Sequence, residues 1–427
     1  MALQLTQPEQ AMLRGEQGSG AALAMRLVVR AAEVLRAERL IPITRAHVDS
    51  CLYHGPATLD FANALVDGGA RVRVPATLNV GAVDLLHPEL WHGSAEDADR
   101  GRQLMDAYRT LGCQPTFTCA PYQLPDARPG FGEQVAWAES NAIVFCNSAL
   151  GARTERYGDF IDIACAVIGA VPEAGLHTTE ARRAVMVLRT GPDVPDALRH
   201  ADVLYPVLGI VLGRHAGARV AVLDGLPPLS EERLKAIGAA AASSGAVAMF
   251  HVVGSTPEAP TLADALGGRD PEETLEIGLA ELRAARDSLT SDAGAAPGGP
   301  VGAVSLGTPH ASLAELREIA GMLDGQQVAR GVELMVSTAR DTLAAASQDG
   351  TAARLQTAGV ELLVDTCSYL GPLLRPTDLP VMTDSGKWAY YAPGNIGAKV
   401  IFGSRLECVR SAISGRLWRD ERAWGGA

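Results

Sequence analysis

The stretch VGAVSLGTPHASLAEL, residues 301–316, contains the pattern that decides the fold of this 427-residue chain. Its first six residues are mostly apolar and predict a short buried strand, and the Gly-Thr-Pro-His sequence that follows predicts a turn. Ser312 then stands three residues before Glu315, which is the capping-box spacing at the start of a helix. The stretch therefore predicts a strand, a turn and a helix in succession.

Short apolar runs of the same kind recur through the second half of the chain. They are AVMVLR (184–189), VLYPVLGIVLG (203–213), VAVL (220–223), AVAMFHVV (246–253), VELMVST (332–338), VELLVDT (360–366) and VIFG (400–403). Most of them alternate with helical segments such as 230–242. Strands this apolar are buried on both faces, so the pattern predicts an α/β fold with a mainly parallel sheet covered by helices.

The first half of the chain predicts more helix than strand. The helical period predicts helices over residues 6–15, 21–39, 59–66 and 97–111. Short strands are predicted to begin at Ile41 and to run over 71–74, and PATLNVGAVDLL (75–86) is predicted to be a loop. The run SNAIVFCNS (140–148) has the pattern of a strand that ends in polar residues.

Length and charge restrict the domain organisation and the class of partner. A chain of 427 residues is expected to fold as two or three lobes, and the Ala/Gly/Pro-rich segment 291–300 is the best candidate for a linker. The formal net charge of −12 argues against nucleic acid or an anionic membrane as the main partner. No run approaches the about 20 apolar residues of a membrane span, and the N-terminus lacks a signal-peptide pattern, so we expect a cytoplasmic protein.

Seven cysteines at irregular spacing disfavour a disulfide framework and leave metal binding, catalysis or core packing. Cys119 and Cys367 follow segments that resemble strand ends and have polar neighbours, and Cys146 has a similar context. These three are the candidate ligands. Cys113, Cys165 and Cys408 are predicted to be core or surface residues. Cys51 is intermediate between these residues and the candidate ligands.

Other polar residues are predicted to follow strands, which is where open α/β folds bind ligands. His47 and Asp49 come after the strand that begins at Ile41, although they could equally satisfy each other in a turn. Thr77 and Asn79 lie beyond the next predicted strand. His54 precedes a Gly-Pro loop and has no clearer context.

Two further segments offer groups that bind anions, and a third contains a histidine. The loop 147–156, with Arg153, precedes an apolar helix, and donors at a helix N-terminus suit a carboxylate. Ser385, Gly386 and Lys387 form a second such turn, which lacks the upstream glycines of a nucleotide-binding loop. His310 is either a catalytic residue or a packed turn histidine.

Eight segments together resemble the aconitase X family of the aconitase superfamily, in particular its bacterial cis-3-hydroxy-L-proline dehydratases. The resemblance covers essentially the whole chain. It rests on LTQPEQAMLRGEQG (5–18), ITRAHVDSCLYHG (43–55), VPATLNVGAVD (74–84), TFTCAPY (116–122), AWAESNAIVFCNSALGARTERYGDF (136–160), LGTPHASLAEL (306–316), VDTCSYLGP (364–372) and TDSGKWAYYAPG (383–394). It implies several α/β/α lobes with mainly parallel sheets around a central cleft.

The resemblance also implies an iron-dependent hydro-lyase. Cys119 and Cys367 match the family's cysteine segments, and Cys146 is the third expected ligand. The archaeal branch resembles mevalonate 5-phosphate dehydratases and places a cysteine where this chain has Ala311. We expect a 2Fe–2S centre, with mononuclear iron as the alternative.

The implied reaction removes the C2 proton and the 3-hydroxyl of cis-3-hydroxy-L-proline, and the resulting enamine tautomerises to 1-pyrroline-2-carboxylate. The expected catalytic residues are His47, Asp49, His54 and Lys387. The expected substrate contacts are Thr77, Asn79, Ser140, Asn141, Ser148, Arg153, Thr154, Ser385 and Gly386.

The superfamily's small swivel domain, which carries a serine thought to act as the base, is not recognisable in this chain. We therefore expect a large subunit that works with a separate small subunit. Two alternative functions remain: a mevalonate 5-phosphate dehydratase of the same family, and a non-catalytic iron–sulfur protein that acts as a sensor.

Overall fold

A computed structural model describes residues 3–292 and 294–426. These residues form two compact units. The first unit comprises the chain up to Val83 together with Ser94–Arg183, and the second comprises Asp84–Gly93 together with the chain from Ala184 onward. None of the helices in the described residues combines the length and the hydropathy that a bilayer crossing requires.

The first unit is built from short strands and from helices of 7 to 16 residues that cover them. Its helices are Gln7–Leu13 (α1), Ser19–Val34 (α2), Pro56–Asp67 (α3), Ala95–Thr110 (α4), Ser140–Ser148 (α5) and Ile161–Ile168 (α6). Its strands are Leu40–Pro42 (β1), Ala46–Val48 (β2), Ala76–Leu78 (β3), Ala136–Trp137 (β4) and Ala170–Pro172 (β5).

A three-stranded parallel sheet in the order β3-β2-β4 lies at the centre of the first unit. Its register aligns His47 with both Thr77 and Trp137, so three side chains from different strands share one level of the sheet. Strands β1 and β5 form a separate antiparallel pair. Helices α2 and α6 pack together, because both present continuous buried faces of small and aliphatic residues.

The second unit contains two parallel sheets and the helices between their strands. Its strands are Met186–Thr190 (β6), Ala221–Asp224 (β7), Phe250–Val252 (β8), Glu273–Ile277 (β9), Ala303–Ala311 (β10), Glu333–Thr338 (β11), Val360–Leu363 (β12), Val381–Thr383 (β13) and Val400–Phe402 (β14). Its helices are Asp196–His200 (α7), Leu204–Ala216 (α8), Glu231–Ser244 (α9), Leu262–Leu266 (α10), Leu279–Ser288 (α11), Leu313–Leu323 (α12), Arg340–Gln348 (α13), Thr351–Thr357 (α14), Gly386–Ile396 (α15) and Arg405–Ser414 (α16).

The four-stranded sheet of the second unit has the order β8-β7-β6-β9, and all of its pairings are parallel. Helices α8 and α9 pack closely against each other. A Cβ atom at Gly209 would lie 2.4 Å from the carbonyl oxygen of Ile237. The absence of a side chain at Gly209 is therefore what allows the two helix backbones to approach.

The five-stranded sheet has the order β12-β11-β10-β13-β14 and is parallel throughout. Its core includes Val304, Leu334 and Val336 from the strands and Leu316 and Val409 from the covering helices α12 and α16. Apolar side chains on both faces of the strands explain the near-continuous hydrophobic runs in the sequence.

The structure confirms the predicted α/β class with mainly parallel sheets, and it confirms the capping box between Ser312 and Glu315. The predicted turn at 307–310 is wrong, since β10 continues to Ala311 through a register shift against β11. Gly307 makes this shift feasible, because its φ is +79° and a Cβ atom there would lie 2.1 Å from the Ser337 carbonyl oxygen.

Four other predicted elements are also wrong. The run 203–213 is helix α8, and 140–148 is helix α5, because a helix buried on all sides is apolar all round and cannot be told from a buried strand by periodicity. The predicted loop 75–86 contains β3. The predicted strand 71–74 is irregular, since the amides of Val72 and Arg73 donate to the ends of α4 and α6 instead.

The linker-like segment 291–300 lies within the second unit and follows α11 in sequence. The Ser291 amide donates to Val400 O over 2.9 Å, and the Gly298 amide donates to Leu417 O over 2.8 Å. Ala293 is outside the described residues. The segment is thus tied to its own unit by backbone hydrogen bonds, and its role as a boundary between lobes stays a prediction.

A buried charge cluster joins three helices of the second unit. Glu315 on α12 accepts hydrogen bonds from Lys235 on α9 and, at 2.9 Å, from Arg405 on α16. Arg405 also binds Asp384 and Glu318. Burial alone would raise the pKa of Glu315, but the charges of Lys235 and Arg405 outweigh it and lower the pKa to about 2.

We expect the charge of Glu315 to make unfolding free energy depend on pH in a defined window. Because the folded-state pKa is below the unfolded value, the stabilisation is complete above about pH 4.5 and is lost as the pH falls toward about 2. Between pH 6 and pH 3, the difference in unfolding free energy between wild type and Glu315→Gln should shrink by about 2 kcal/mol in urea titrations. Glu318→Gln, at a half-exposed partner of Arg405, is the control; parallel pH curves for wild type and Glu315→Gln would contradict the expectation.

Candidate functional site

Polar side chains collect at the carboxyl edge of the five-stranded sheet. His310 lies near the end of β10, Ser337 and Thr338 end β11, Cys367 follows β12, and Ser385 follows β13. All five are buried. Because the strands are parallel, their carboxyl ends meet at one edge of the sheet, which is where open α/β folds bind ligands.

His310 and Cys367 form a candidate metal-binding pair at this edge. A ring nitrogen of His310 and the Cys367 sulfur lie within 4.8 Å of each other, and both residues are fully buried. The Nε2 atom of His310 is 3.1 Å from Thr366 O and can only donate to that carbonyl. In the neutral ring, the lone pair is therefore on Nδ1, which fixes the nitrogen that can bind a metal.

Two buried hydroxyl residues, Thr366 and Ser368, flank Cys367 in the sequence. Ser305 and Ser368 share a hydrogen bond of 2.7 Å, and Trp388 Nε1 donates to Ser368 over 3.0 Å. Ser337 Oγ and Thr366 Oγ1 are buried and have no hydrogen-bond partner in the structure. Unsatisfied buried polar atoms are rare, so two of them at one sheet edge indicate a site whose bound group supplies their partners.

The donor set of this edge fits a metal centre with soft ligands. A thiolate and an imidazole are the ligand types that iron, zinc and iron–sulfur centres prefer, whereas carboxylates and carbonyls suit magnesium and calcium. The second unit therefore presents two buried side chains, His310 and Cys367, of the types that could hold such a metal.

The predicted Ser385-Gly386-Lys387 turn is the start of helix α15. Ser385 is the N-cap, and its hydroxyl accepts from the Trp388 amide over 3.0 Å. A Cβ atom on Gly386 would lie 3.0 Å from Ala240 Cβ, so close helix packing is one reason for glycine there. Lys387 is buried in the first turn, where its ammonium adds to the positive end of the helix dipole.

The three-stranded sheet of the first unit has a polar edge of its own. His47 Nδ1 is 2.8 Å from Thr77 Oγ1, and the Asn79 amide donates to the Asp49 carboxylate. The alternative in which His47 and Asp49 satisfy each other in a turn is wrong, because each has a partner on β3 or directly after it. The structure thus brings four predicted site residues together in this unit.

Burial changes the titration of these groups in opposite directions. It lowers the pKa of His47 to about 3, so this imidazole is neutral at physiological pH. It raises the pKa of Asp49 well above its usual value, and the negative charges of Glu139 and Asp159 raise it further. Burial raises the pKa of Asp159, and the exposed His54 nearby only partly offsets this increase.

Helix α5 begins two residues after β4 and carries three of the predicted substrate contacts, Ser140, Asn141 and Ser148. Asn141 Nδ2 donates to Cys119 O over 2.6 Å, and its carbonyl oxygen accepts from Tyr122 over 2.8 Å. Ser140 Oγ is 3.2 Å from the Glu139 carboxylate. Asn141 thus holds the backbone that carries the Cys119 thiol, and its role as a substrate contact stays a prediction.

The loop after α5 is held by contacts within its own unit. Thr154 Oγ1 accepts from the Trp137 amide over 3.0 Å, and the Thr154 amide donates to Asn147 over 3.1 Å. Arg153 donates to His177 O and Thr179 Oγ1. Substrate roles for Arg153, Thr154 and the buried Ser148 stay predictions, and these hydrogen bonds give the first two a structural role.

Family models cover most of the chain. The aconitase X first domain matches residues 2–180, the second domain matches 185–287, and the third domain matches 301–414. The chain belongs to the aconitase X family. The family prediction made from the sequence is confirmed.

The matched relatives of this aconitase X chain are dehydratases. Cis-3-hydroxy-L-proline dehydratase of Pseudomonas aeruginosa is 44% identical over 97% of this chain and 71% of its own length. The enzyme of the same name from Hypocrea jecorina is 42% identical over 97% and 69%. The phosphomevalonate dehydratase large subunit of Methanosarcina mazei is 32% identical over 96% and 98%.

A solved structure supports the fold. The holo-form crystal structure of Thermococcus kodakaraensis aconitase X covers 96% of this chain and 100% of its own, at 31% identity and a TM-score of 0.85. The aconitase-like α/β fold expected from the sequence is therefore confirmed.

Cys146 differs from the other two candidate cysteines of this aconitase X chain. It is on helix α5, so the predicted strand end that made it a candidate ligand is wrong. It packs in an apolar cluster with Tyr122, Trp137 and Phe145, and burial raises the pKa of its thiol. No group of three or more ligand side chains in the described residues includes Cys146.

Sequence reasoning missed Asp162 of helix α6. Its carboxylate accepts from the Asp49 amide over 2.7 Å and from the Ser50 amide over 3.0 Å, and it also binds the Ser50 hydroxyl. Burial raises its pKa to about 6. Asp162 therefore fixes the loop that carries Asp49, and an acidic residue within the apolar run FIDIACAVIG was the available signal.

We expect Cys146→Ala to lower the unfolding free energy by about 1 kcal/mol, because it removes one packed sulfur atom from the apolar cluster. Urea unfolding would measure the change. Cys165→Ala, at another fully buried helical thiol, should have a similar effect and is the matched control. The iron content after reconstitution should stay at the wild-type level in both variants, and loss of iron from Cys146→Ala alone would restore Cys146 as a ligand.

Proposed function

We propose that this chain is a hydro-lyase that converts cis-3-hydroxy-L-proline to 1-pyrroline-2-carboxylate. The observation that carries the proposal is identity of 44% and 42% to two dehydratases named for that substrate, against 29–34% for phosphomevalonate dehydratase large subunits. In this reaction a base removes the C2 proton, the 3-hydroxyl leaves as water, and the enamine tautomerises. No net redox change occurs.

The proposed cofactor is an iron–sulfur centre, with 2Fe–2S favoured over mononuclear iron. We propose that Cys119 and Cys367 each supply a thiolate, in line with the family resemblance. We propose that His310, which has a ring nitrogen close to the Cys367 sulfur, is the third ligand instead of the predicted Cys146. Bound iron would act as a Lewis acid that makes the departing hydroxide a better leaving group.

Lys387 is the proposed anchor of the substrate carboxylate. Its ammonium is in the first turn of α15, where the backbone amides of the helix start also favour an anion. A fixed carboxylate orients the C2–H bond toward the base, and the paired charge assists removal of a weakly acidic proton. Ser385 supports this anchor by capping the helix.

Asp49 is the proposed acid–base group of this chain, with His47 in a supporting role. The raised pKa of Asp49 is what a carboxylate needs to take up a proton near neutral pH. The pKa of His47, about 3, is too low for it to gain a proton there, so its proposed contribution is the hydrogen bond between its Nδ1 atom and Thr77. A serine on a small subunit is the alternative base.

A separate small subunit is the proposed partner, and the cytoplasm is the proposed location. The chain matches 98% of the length of a relative named a large subunit and 71% of the length of the Pseudomonas enzyme. All seven cysteines are buried and unpaired by disulfides, which suits a reducing compartment.

Turnover assays test the proposal directly. With its small subunit and reconstituted iron, the protein should convert cis-3-hydroxy-L-proline to 1-pyrroline-2-carboxylate, at a kcat/KM at least about 100-fold above that for mevalonate 5-phosphate. The reverse ratio would identify the phosphomevalonate enzyme. Iron binding without turnover of either compound would favour the sensor protein, and full activity of the isolated chain would refute the small subunit.

Iron analysis tests the ligand set separately from activity. Anaerobically reconstituted Cys119→Ser, Cys367→Ser and His310→Ala should each lose most of their iron, because a site with one ligand missing binds metal far more weakly. Cys408→Ser, at a buried thiol of helix α16, should keep the wild-type iron content. Wild-type iron content in Cys367→Ser would remove that residue from the ligand set.

A further inference from the structure

The chain makes an unusual turn directly before Cys367. Strand β12 ends at Leu363, and Asp365 has a φ of +64°, which a residue other than glycine rarely adopts. The Thr366 amide donates to Val364 O over 2.8 Å. A hydrogen bond between residues two apart with a positive central φ defines the rarer, strained form of γ-turn.

A bidentate ion pair holds the centre of this turn. Arg340, at the start of α13, places Nε 2.5 Å from Asp365 Oδ1 and Nη2 2.5 Å from Asp365 Oδ2. The Asp365 side chain is fully buried, while Arg340 is about one-third exposed. Two parallel N–H···O bonds restrict the orientation of the carboxylate more strongly than a single contact does.

The segment 84–93 fastens the turn from another side. The Leu85 amide donates to Asp365 Oδ2 over 3.1 Å, and the Val364 amide donates to Asp84 Oδ2 over 2.9 Å. The Asp84 carboxylate also accepts from the amides of Leu86 and His87. Both carboxylates are thus committed to backbone amides, and the turn is held at the two residues that follow β12.

The turn sets the position of both groups in the metal-binding pair. Its last residue, Thr366, supplies the carbonyl that accepts from His310 Nε2, and Cys367 follows at once. A change of φ at Asp365 would therefore move the Thr366 carbonyl and the Cys367 sulfur together. A strained φ persists only where surrounding contacts enforce it. Arg340 provides such a contact through its hydrogen bonds to the Asp365 side chain.

We propose that Arg340 is a positioning residue that, through Asp365, holds Cys367 and His310 in the arrangement that binds metal. The inference rests on the metal centre of the proposed function. It extends that proposal to a residue that is neither a proposed metal ligand nor a proposed substrate contact. Interactions that orient metal ligands typically affect metal affinity by about 10–100-fold when removed.

The experiment compares reconstituted proteins in complex with the small subunit. Arg340→Met should bind iron about 10-fold or more weakly in chelator competition and should have an altered visible absorption spectrum. Arg317→Met is the matched control, because Arg317 forms an exposed pair with Asp349 in the same unit, with contacts of 2.8 and 2.7 Å. The control should keep wild-type iron affinity and spectrum.

Two further measurements separate positioning from general stability. Arg340→Lys keeps the charge but cannot form two parallel bonds, so it should also weaken iron binding, and it carries the test if Arg340→Met does not fold. Asp365→Gly tolerates the positive φ but lacks the carboxylate, and it should weaken iron binding as well. Thermal unfolding of each metal-free variant identifies any loss of iron that follows from instability alone.

Wild-type iron affinity and spectrum in both Arg340 variants would overturn the inference while leaving the proposed function intact. The inference would also be overturned if the iron loss of every variant followed its loss of thermal stability and the iron that stayed bound kept the wild-type spectrum. If the wild-type protein itself binds no iron, the metal centre and this inference fail together. That outcome is distinct, because it does not depend on any variant.

Discussion

The parallel pairing of five buried strands is the constraint on which the rest of the second unit depends. Strand β10 and its neighbours β11 and β13 are paired in parallel, so their carboxyl ends lie at the same edge of the sheet. The strand interiors are apolar on both faces, whereas the residues at their ends are polar. The pairing thereby gathers His310, Cys367 and Ser385 without requiring them to be near in sequence.

Collecting polar groups at a buried edge has an energetic cost that the surrounding structure offsets. Each buried hydroxyl without a partner, as at Ser337 and Thr366, costs about 1–3 kcal/mol of desolvation. The strained φ of Asp365 adds a further cost on the order of 1–3 kcal/mol. Ion pairs such as Arg340–Asp365 hold this edge in a fixed geometry. The fixed geometry of the site therefore comes with a lower stability of the folded state.

In the first unit, two buried carboxylates, Asp49 and Asp162, have raised pKa values. Asp49 lies near Glu139 and Asp159, and mutual repulsion together with burial raises its pKa. The Asp162 carboxylate, by contrast, is held by two backbone amides that partly counter the effect of burial. Carboxylates in one region of the unit therefore differ in their environments, since Asp162 fixes the loop through backbone amides while neighbouring charges raise the pKa of Asp49 further.

The sequence by itself determined the α/β class, the family, the capped start of α12 and the candidacy of Cys119 and Cys367, because apolar period, capping spacing and local motifs are properties of neighbouring residues. Only the tertiary structure decided that 140–148 and 203–213 are helices, since burial on all sides removes the periodicity that separates helix from strand. The tertiary structure also decided which side chains lie next to each polar group. His310 lies close to Cys367 although the two are 57 positions apart, and Cys146 lies in an apolar cluster, because contacts across a sheet edge follow strand pairing, which no local pattern encodes.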